Sequence, residues 1–420
     1  MLTVYLVLLC AIPSNLTNAA LGSIGRPAIL WGLGCALWWF WTTAADSMRR
    51  WRRRQPVRIA LLCFALLALL TFGVAQLNGL PSEEKSPANS ALLGLISWAG
   101  IILIANDGIT ERERFVVLLH RIAVAGGLLA LLGLVQFVTG KTLIDMITIP
   151  GFGADADLSA LQNRSGFTRS SATASHPLEY AVVLSSALPI ALAFALADNK
   201  KSFAIRWSNS IVILLAALLS VSRSAILGVV AGVAILLPSW PARARRAAGI
   251  CGILIGIGIY LLVPGMAGTI FGLFEGASTD SSTVSRTNGY GLALEIAGHY
   301  FPLGRGLGTF IPRYQILDNQ FLGLLIEVGV VGLIAFVGLL VTAVICAGTG
   351  RRDAVSATDR HLCFALVAAI LSTSLLFAFF DAFSFPMALG MLGLLIGLSG
   401  AARNIYTRDR HDKADHQENG

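Results

Sequence analysis

Long apolar stretches separated by short polar ones dominate the sequence. Hydropathy predicts segments near residues 2–20, 26–45, 57–76, 90–106, 115–139, 177–197, 205–221, 223–237, 247–264, 319–347, 360–380 and 386–401. Most have about 17–25 residues, the length that an α-helix needs to cross roughly 30 Å of hydrocarbon. Strands of a membrane barrel would be shorter and would alternate in polarity. The pattern therefore predicts an all-α, polytopic membrane protein with about twelve transmembrane helices.

Basic residues give the predicted helices a direction. The strongest cluster, 49–58, follows the second segment and contains six arginines. The positive-inside rule places this cluster in the cytoplasm. Alternation of the helices then puts 22 of the 31 lysines and arginines, together with both termini, on the cytoplasmic side. This agreement supports the count of segments and predicts a multi-pass protein of the inner membrane.

Composition excludes a soluble protein. Charged residues make up 13% of the chain and hydrophobic residues 55%, whereas soluble domains have about a quarter charged residues. The lipid bilayer is therefore an expected partner, and the net charge of +8 is explained by topology, so no nucleic acid is expected. All six cysteines lie in or beside apolar segments, which predicts no structural disulfide. No spacing of cysteine or histidine suggests a metal, and no cofactor is expected.

Three predicted outer loops, 77–89, 140–176 and 265–318, interrupt the apolar pattern. The largest, 265–318, lies between the ninth and tenth predicted helices and is rich in Gly, Ser and Thr. Loops of this length in a compact protein are usually functional. We expect one polytopic membrane domain over 1–402, followed by a charged, disordered cytoplasmic tail over 403–420.

Six arginines on the outer side are the first candidates for chemistry, because basic residues otherwise concentrate on the cytoplasmic side. They are Arg164, Arg169, Arg223, Arg286, Arg305 and Arg313. Arg223 stands between two apolar segments with almost no loop, and a charge at membrane depth normally has a partner or an aqueous cavity. A guanidinium binds the oxygens of a diphosphate bidentately. An arginine that only extends to the membrane interface is the alternative.

Three motifs in fixed order resemble the O-antigen ligase and O-antigen polymerase superfamily. The first is S-R-S-A at 222–225. The second is S-R-T-N-G-Y-G-L-A-L-E at 285–295, followed by F-P-L-G-R-G-L-G-T-F at 301–310. The third is D-N-Q-F-L at 318–322, followed by I-E-V-G-V-V-G at 326–332. The resemblance covers a core of about 164–335.

The resemblance implies a metal-independent glycosyltransferase that acts at the outer face on a glycan linked to polyprenyl diphosphate. Arg223 and Arg286 match the arginines that would hold the diphosphate. The family's ligases typically carry a histidine where this chain has Asp318, so the resemblance implies that Asp318 orients the acceptor hydroxyl and favours polymerisation over transfer to lipid A–core. The expected partners are a polyprenyl-diphosphate-linked oligosaccharide and a glycan acceptor. The other predicted substrate-binding residues are Arg164, Arg169, His176, Arg305, Gly306, Gly308, Arg313 and Asn319.

Alternatives stay open for several of these residues. His176 precedes Pro177 at the start of a predicted helix, so it could cap that helix. Gly306 and Gly308 could allow close approach of sugar or phosphate, or could simply form a turn. Glu327 in an apolar helix is expected to pair with one of the arginines. A transporter or flippase of lipid-linked oligosaccharides is the alternative function, although such proteins commonly show internal repeats.

Overall fold

The computed structural model describes residues 1–45, 55–144, 147, 149–154, 162–164, 167–197, 202–220, 222–262 and 281–418. Its helices are α1 (Leu2–Cys10), α2 (Pro27–Ala45), α3 (Pro56–Leu77), α4 (Ser82–Gly108), α5 (Arg112–Thr139), α6 (Pro177–Ala197), α7 (Phe203–Leu219), α8 (Arg223–Leu236), α9 (Ala242–Leu262), α10 (Ser281–His299), α11 (Gln320–Glu327), α12 (Gly329–Asp353), α13 (Ala357–Leu376) and α14 (Pro386–Glu418). Two short antiparallel pairs accompany them: β1 (Leu16–Thr17) with β2 (Gly153–Ala154), and β3 (Gln162–Arg164) with β4 (Phe167–Arg169).

The prediction of an all-α polytopic membrane protein is confirmed. Among the described residues, 8 helices are long and apolar enough to cross a membrane, namely α2–α6 and α12–α14. The helices α7 and α8 are apolar but shorter. The predicted total of twelve is not reached by these criteria.

Two ion pairs between helix ends, one made by Arg112 and one by Arg410, identify one end of the helix bundle. Arg112 at the start of α5 donates to Asp359 in the first turn of α13 (Nε–Oδ2, 2.7 Å). Arg410 in α14 donates to Asp353 at the end of α12 (Nη1–Oδ1, 2.8 Å). We call this end the basic end. The opposite end, where α4, α6, α8 and α12 begin, is called the loop end.

The centre of the bundle is formed by α6 and α14, the two most buried spans (83% of each apolar window). Helix α6 packs against α5, α7, α8 and α13, and α14 packs against α4 and α12. Small residues allow this close packing, since a side chain on Gly397 of α14 would collide with Ile102 and Ala105 of α4. Helix packing in membranes depends on such close approach because lipid tails are as apolar as the helices.

The predicted first spanning segment, 2–20, is wrong. Helix α1 ends at Cys10, and its 9 residues extend only about 13 Å at 1.5 Å per residue. The helix ends because the next residues bond elsewhere: Thr173 Oγ1 donates to the Cys10 carbonyl (2.6 Å), and Ser14 N donates to the Thr173 carbonyl (2.9 Å). Pro13, which cannot donate a backbone hydrogen bond, follows directly.

Two further boundaries differ from the prediction. The predicted helix 319–347 is divided into α11 and α12 because Gly329 adopts a left-handed backbone conformation (φ +68°). The backbone of the predicted disordered tail is helical, since α14 continues to Glu418. Two of its described side chains, Thr407 and Arg410, donate to Asp353 at the basic end. The part of the large loop within 263–280 lies outside the described residues.

Candidate functional site

The glycine-rich turn 304–309 docks on the break between α11 and α12. The backbone N–H of Arg305 donates to the Ile326 carbonyl (2.8 Å), and that of Gly306 donates to the Glu327 carbonyl (2.8 Å). Gly304 and Gly329 have positive φ angles (+77° and +68°). A side chain on Gly329 would collide with the Pro302 carbonyl, and one on Gly304 with the backbone of Gly329. Two of the sequence motifs therefore form a single unit in which backbone packs on backbone.

Gly306 and Gly308 pack against helices. A side chain on Gly306 would collide with Ala75 of α3, and one on Gly308 with Ala91 of α4. Both glycines have positive φ angles, +128° and +70°, which an L-residue with a side chain rarely adopts. The close approach that these glycines allow is made to α3 and α4, so the turn interpretation is supported, and contact with sugar or phosphate stays a prediction.

Two of the predicted substrate-binding arginines are paired with the first turn of α4. Arg305 forms a buried ion pair with Glu84 and stacks on the ring of Tyr314 (4.8 Å). Tyr314 also donates its hydroxyl to Glu84 (2.5 Å). At the surface, Arg313 donates to Glu83 (Nη1–Oε2, 2.6 Å). These pairs hold the segment 305–314 on α4, a role that the sequence analysis missed.

Glu327 lies beside the glycine-rich turn, where its backbone carbonyl accepts from the N–H of Gly306. Burial raises the pKa of Glu327 to about 7, although the nearby backbone amides of Gly308 and Phe310 and the charge of Arg305 oppose the rise. The described side chain of Arg305 pairs with Glu84 instead, so the expected pairing of Glu327 with this arginine is not seen. The sequence offered little to reveal the amides near Glu327, because backbone donors leave no residue-specific pattern.

Asp318 and Asn319 lie where α11 begins. Asn319 caps the helix, since its Oδ1 accepts from the backbone N–H of Phe321 (2.9 Å) and Leu322 (3.3 Å). Its Nδ2 donates to the hydroxyl of Tyr290 in α10 (3.5 Å). Asp318 is half-buried and raises the pKa of the nearby Asp381, whose pKa is already raised by burial. The predicted acceptor residue thus has a second carboxylate beside it.

Helix α11 is fixed to the end of α13 by Gln320. The backbone N–H of Gln320 donates to the Phe377 carbonyl (2.8 Å), and its Oε1 accepts from the backbone N–H of Phe383 (2.7 Å). Asp318 therefore lies at the loop end, next to the turn that joins α13 to α14.

The packing of α8 against α13 places Arg223 at the loop end, at the level of Asp318. Gly228 lies against Leu376 and Gly232 against Ser372, so α8 runs antiparallel to α13. Arg223 begins α8 and lies five residues before Gly228, which is about 7.5 Å along the axis. The same distance beyond Leu376 reaches the turn near Asp381. Arg223 and Asp318 therefore share the loop end of the bundle.

His176 caps helix α6. Its Nδ1 accepts from the backbone N–H of Leu178 (3.1 Å), and its ring packs on Phe385 (5.8 Å between centroids). Burial, together with the smaller effect of the Arg169 charge, lowers the pKa of His176 to about 4. The side chain is therefore neutral at pH 7. The capping alternative is supported, and Arg169 is a close neighbour of this residue.

For two predicted site residues, Arg164 and Arg286, the structure describes the backbone alone. The backbone of Arg164 lies in β3 and that of Arg286 in α10, but both side chains lie outside the described residues. Arg286 precedes Tyr290 by four residues in α10, which is about one helical turn. The backbone of Arg286 therefore lies about one helical turn from Tyr290, whose hydroxyl accepts from Asn319.

A comparison with family models decides the family of this segment. The O-antigen ligase model matches residues 209–337, a range that contains Arg223, the glycine-rich turn, Asp318 and the break at Gly329. Residues 209–337 match the O-antigen ligase family. A comparison with curated proteins finds no match. The resemblance noted from the motifs is confirmed for this range, and the match supports a glycan-transfer role of the O-antigen ligase or polymerase type.

The O-antigen ligase match also explains the order of the motifs. The first motif starts α8, the second covers α10 and the turn, and the third caps α11 and breaks it from α12. The described parts of all three lie at the loop end. The helices that precede the matched range, α4 above all, supply the acidic partners of its arginines.

Proposed function

We propose that the protein is a glycosyltransferase of the outer face of the inner membrane, which polymerises a glycan from a polyprenyl-diphosphate donor during synthesis of a cell-surface polysaccharide. The observation that carries this proposal is the position of Arg223. It is the first residue of an apolar helix within the range that matches the O-antigen ligase family, at the end of the bundle that also holds Asp318.

The proposed reaction joins an acceptor hydroxyl to the anomeric carbon of the donor sugar. As that bond forms, the bond from the anomeric carbon to the diphosphate oxygen breaks, and the electron pair leaves with the diphosphate. Arg223 and Arg286 stabilise the charge that develops on the departing phosphates. Because a diphosphate is a good leaving group, positioning of the acceptor and removal of its proton are the remaining requirements. The proposed reaction uses no metal ion.

The orientation of the bundle supports an outer-face site. The arginines of the predicted cytoplasmic loops, such as Arg112 and Arg410, lie at the basic end, and basic loops remain in the cytoplasm. The loop end, with Arg223 and Asp318, then faces the outside. A lipid-linked donor presents its diphosphate at this boundary.

Polymerisation is favoured over transfer to lipid A–core by Asp318. The family's ligases typically carry a histidine at that position, and this chain has an aspartate. A carboxylate can still orient a hydroxyl and accept its proton, provided that the geometry is right. We therefore propose that Asp318 contacts the acceptor hydroxyl.

The test is chain growth by the purified protein. Given the host's polyprenyl-diphosphate oligosaccharide, the wild type should release carrier diphosphate and form longer glycans, with or without EDTA. Arg223→Ala should lower kcat by about 10²-fold or more, because the guanidinium that stabilises the charge developing on the departing diphosphate is lost. Arg223→Lys should recover only part of the rate, because an ammonium cannot bind two oxygens in a fork.

Arg114→Ala is the matched control, because Arg114 is an exposed arginine at the basic end that pairs only with Glu111 (2.9 Å). It should retain wild-type activity. Absence of chain growth in the wild type, or full activity of Arg223→Ala, would contradict the proposal.

A further inference from the structure

A cavity of about 330 Å³ opens at the loop end, beside the glycine-rich turn. Its walls are the start of α2, the first half of α4, residues 307–312 and residues 383–390. Among the predicted site residues that the structure describes in full, Gly308 alone lines it. The volume lies at the lower end of the range for small-molecule pockets, roughly 300–1,000 Å³.

The lining combines flat apolar groups with a few polar ones. Its aromatic side chains are Tyr5, Trp98, Phe310 and Phe383, and its serines are Ser23, Ser90, Ser97 and Ser384. Arg26 and Glu327 are the charged residues among the described lining. Sugar rings have apolar faces that pack on aromatic rings and hydroxyls that bond to polar groups. The mixture therefore suits a sugar ring.

Glu327 gives the cavity a fixed hydrogen-bond acceptor. Glu327 is half-buried and lines the cavity. The backbone amides of Gly308 and Phe310 lie near its carboxylate and favour the charged form. An ionised carboxylate has about four acceptor positions, so capacity remains for a ligand hydroxyl.

Other ligand classes fit the lining less well. A polyprenyl chain would remove the Glu327 carboxylate from water without offering it a hydrogen bond, which is costly. A diphosphate would bring negative charge against the Glu327 carboxylate. A neutral sugar suits this side chain, because its hydroxyls donate to the carboxylate.

We propose that this cavity is the acceptor subsite, where a neutral sugar ring of the acceptor glycan is held with one hydroxyl donated to Glu327. The proposal rests on the proposed glycan transfer. The cavity adjoins the predicted catalytic position through Gln320, two residues after Asp318, whose Oε1 accepts from the backbone N–H of the cavity residue Phe383 (2.7 Å).

Gly94→Leu tests the subsite by filling it. Gly94 lines the cavity, and a Cβ added there would meet no atom within 4 Å. Leucine also favours the helix more than glycine, so α4 should fold. With the host's lipid-linked donor and the soluble repeat released from it by mild acid as acceptor, Gly94→Leu should raise the KM for the soluble acceptor about tenfold and leave the KM for the donor unchanged.

Glu327→Gln is the second variant. Its amide oxygen keeps an acceptor near the Gly308 and Phe310 amides, but the charged acceptor for the ligand is lost. We expect the KM for the soluble acceptor to rise about tenfold, as expected for the loss of a hydrogen bond to a charged group.

Gly34→Leu is the matched control, because Gly34 of α2 is exposed, has open space around it and does not line the cavity. An acceptor KM of Gly94→Leu within twofold of wild type, or a rise in the donor KM alone, would overturn the subsite. Absence of any product from the wild type would instead contradict the proposed function.

Discussion

Single residues show how charge is used at the loop end. Arg305 and Glu84 form a buried pair, so an arginine that the sequence suggested for a ligand also holds the turn to α4. Removing one member of such a pair leaves an uncompensated buried charge, which is strongly destabilising. Loss of activity in an Arg305 variant would therefore not separate binding from folding. Arg223 and the cavity residues are the more informative positions.

The titration of Glu327 gives a prediction for the acceptor KM. Burial raises its pKa to about 7, opposed by the Gly308 and Phe310 amides and by Arg305, while Asp381 adds to the rise. The carboxylate is therefore charged above about pH 7 and protonated below it. The charged form accepts a hydroxyl better, so the acceptor KM should fall as pH rises from about 6 to about 8. Initial rates at several acceptor concentrations measure this.

Glu327→Gln carries no titrating group at this position and should show an acceptor KM that is flat over the same range. A wild-type KM without this pH dependence, or the same slope in Glu327→Gln, would contradict the assignment. His176 does not interfere, because its pKa is lowered to about 4.

The sequence predicted residue types better than residue contacts. Arg223 was identified because a charge between two apolar segments is costly, and it starts α8 at the loop end. The neighbours of Arg305 and Glu327 were missed for two different reasons. Glu84 is separated from Arg305 by 221 positions, and the groups near Glu327 that favour its charged form include backbone amides, which any sequence possesses.

At the level of elements, the break between α11 and α12 is the feature that a hydropathy pattern could not show. The apolar residues on both sides form one continuous stretch, so the prediction was a single helix. The break depends on φ of +68° at Gly329 and on its contact with the Pro302 carbonyl. Only a glycine allows both.

Gly329→Ala should therefore destabilise the protein. An alanine in the left-handed region costs about 1–2 kcal/mol, and the collision with Pro302 adds to this cost. Gly338→Ala in α12 is the control, because its Cβ meets nothing within 4 Å and alanine favours a helix by roughly 0.5–1 kcal/mol. Thermal unfolding in detergent should show a lower midpoint for Gly329→Ala and no loss for Gly338→Ala. Equal midpoints would show that the break is not maintained by Gly329.

At the level of the whole molecule, the sequence was sufficient for the class of fold and for which helix ends lie together; the orientation in the membrane stays a prediction. Apolar length predicted helices because lipid offers no hydrogen bonds to the backbone, and basic loops predicted which ends lie together. It was insufficient for α1, whose apolar residues continue past the point where Thr173 and Ser14 redirect the chain.

The orientation can be tested in intact cells. In a cysteine-free background, a cysteine at Arg313, which is exposed at the loop end, should react with a membrane-impermeant thiol reagent. A cysteine at Arg360, exposed at the basic end, should react only after the membrane is opened. Labelling of Arg360→Cys in sealed cells would reverse the topology and place the proposed site in the cytoplasm.

The carboxylate of Glu179 has a consequence for biogenesis. It is fully buried, and it accepts hydrogen bonds from Ser14, Ser175 and the backbone N–H of Met387. The last of these donors lies 208 positions further along the chain, so it is synthesised long after α6 has left the ribosome. Until α14 is inserted, this carboxylate lacks one of its native donors. We therefore expect the start of α6 to reach its final packing only after residue 387 has joined the bundle.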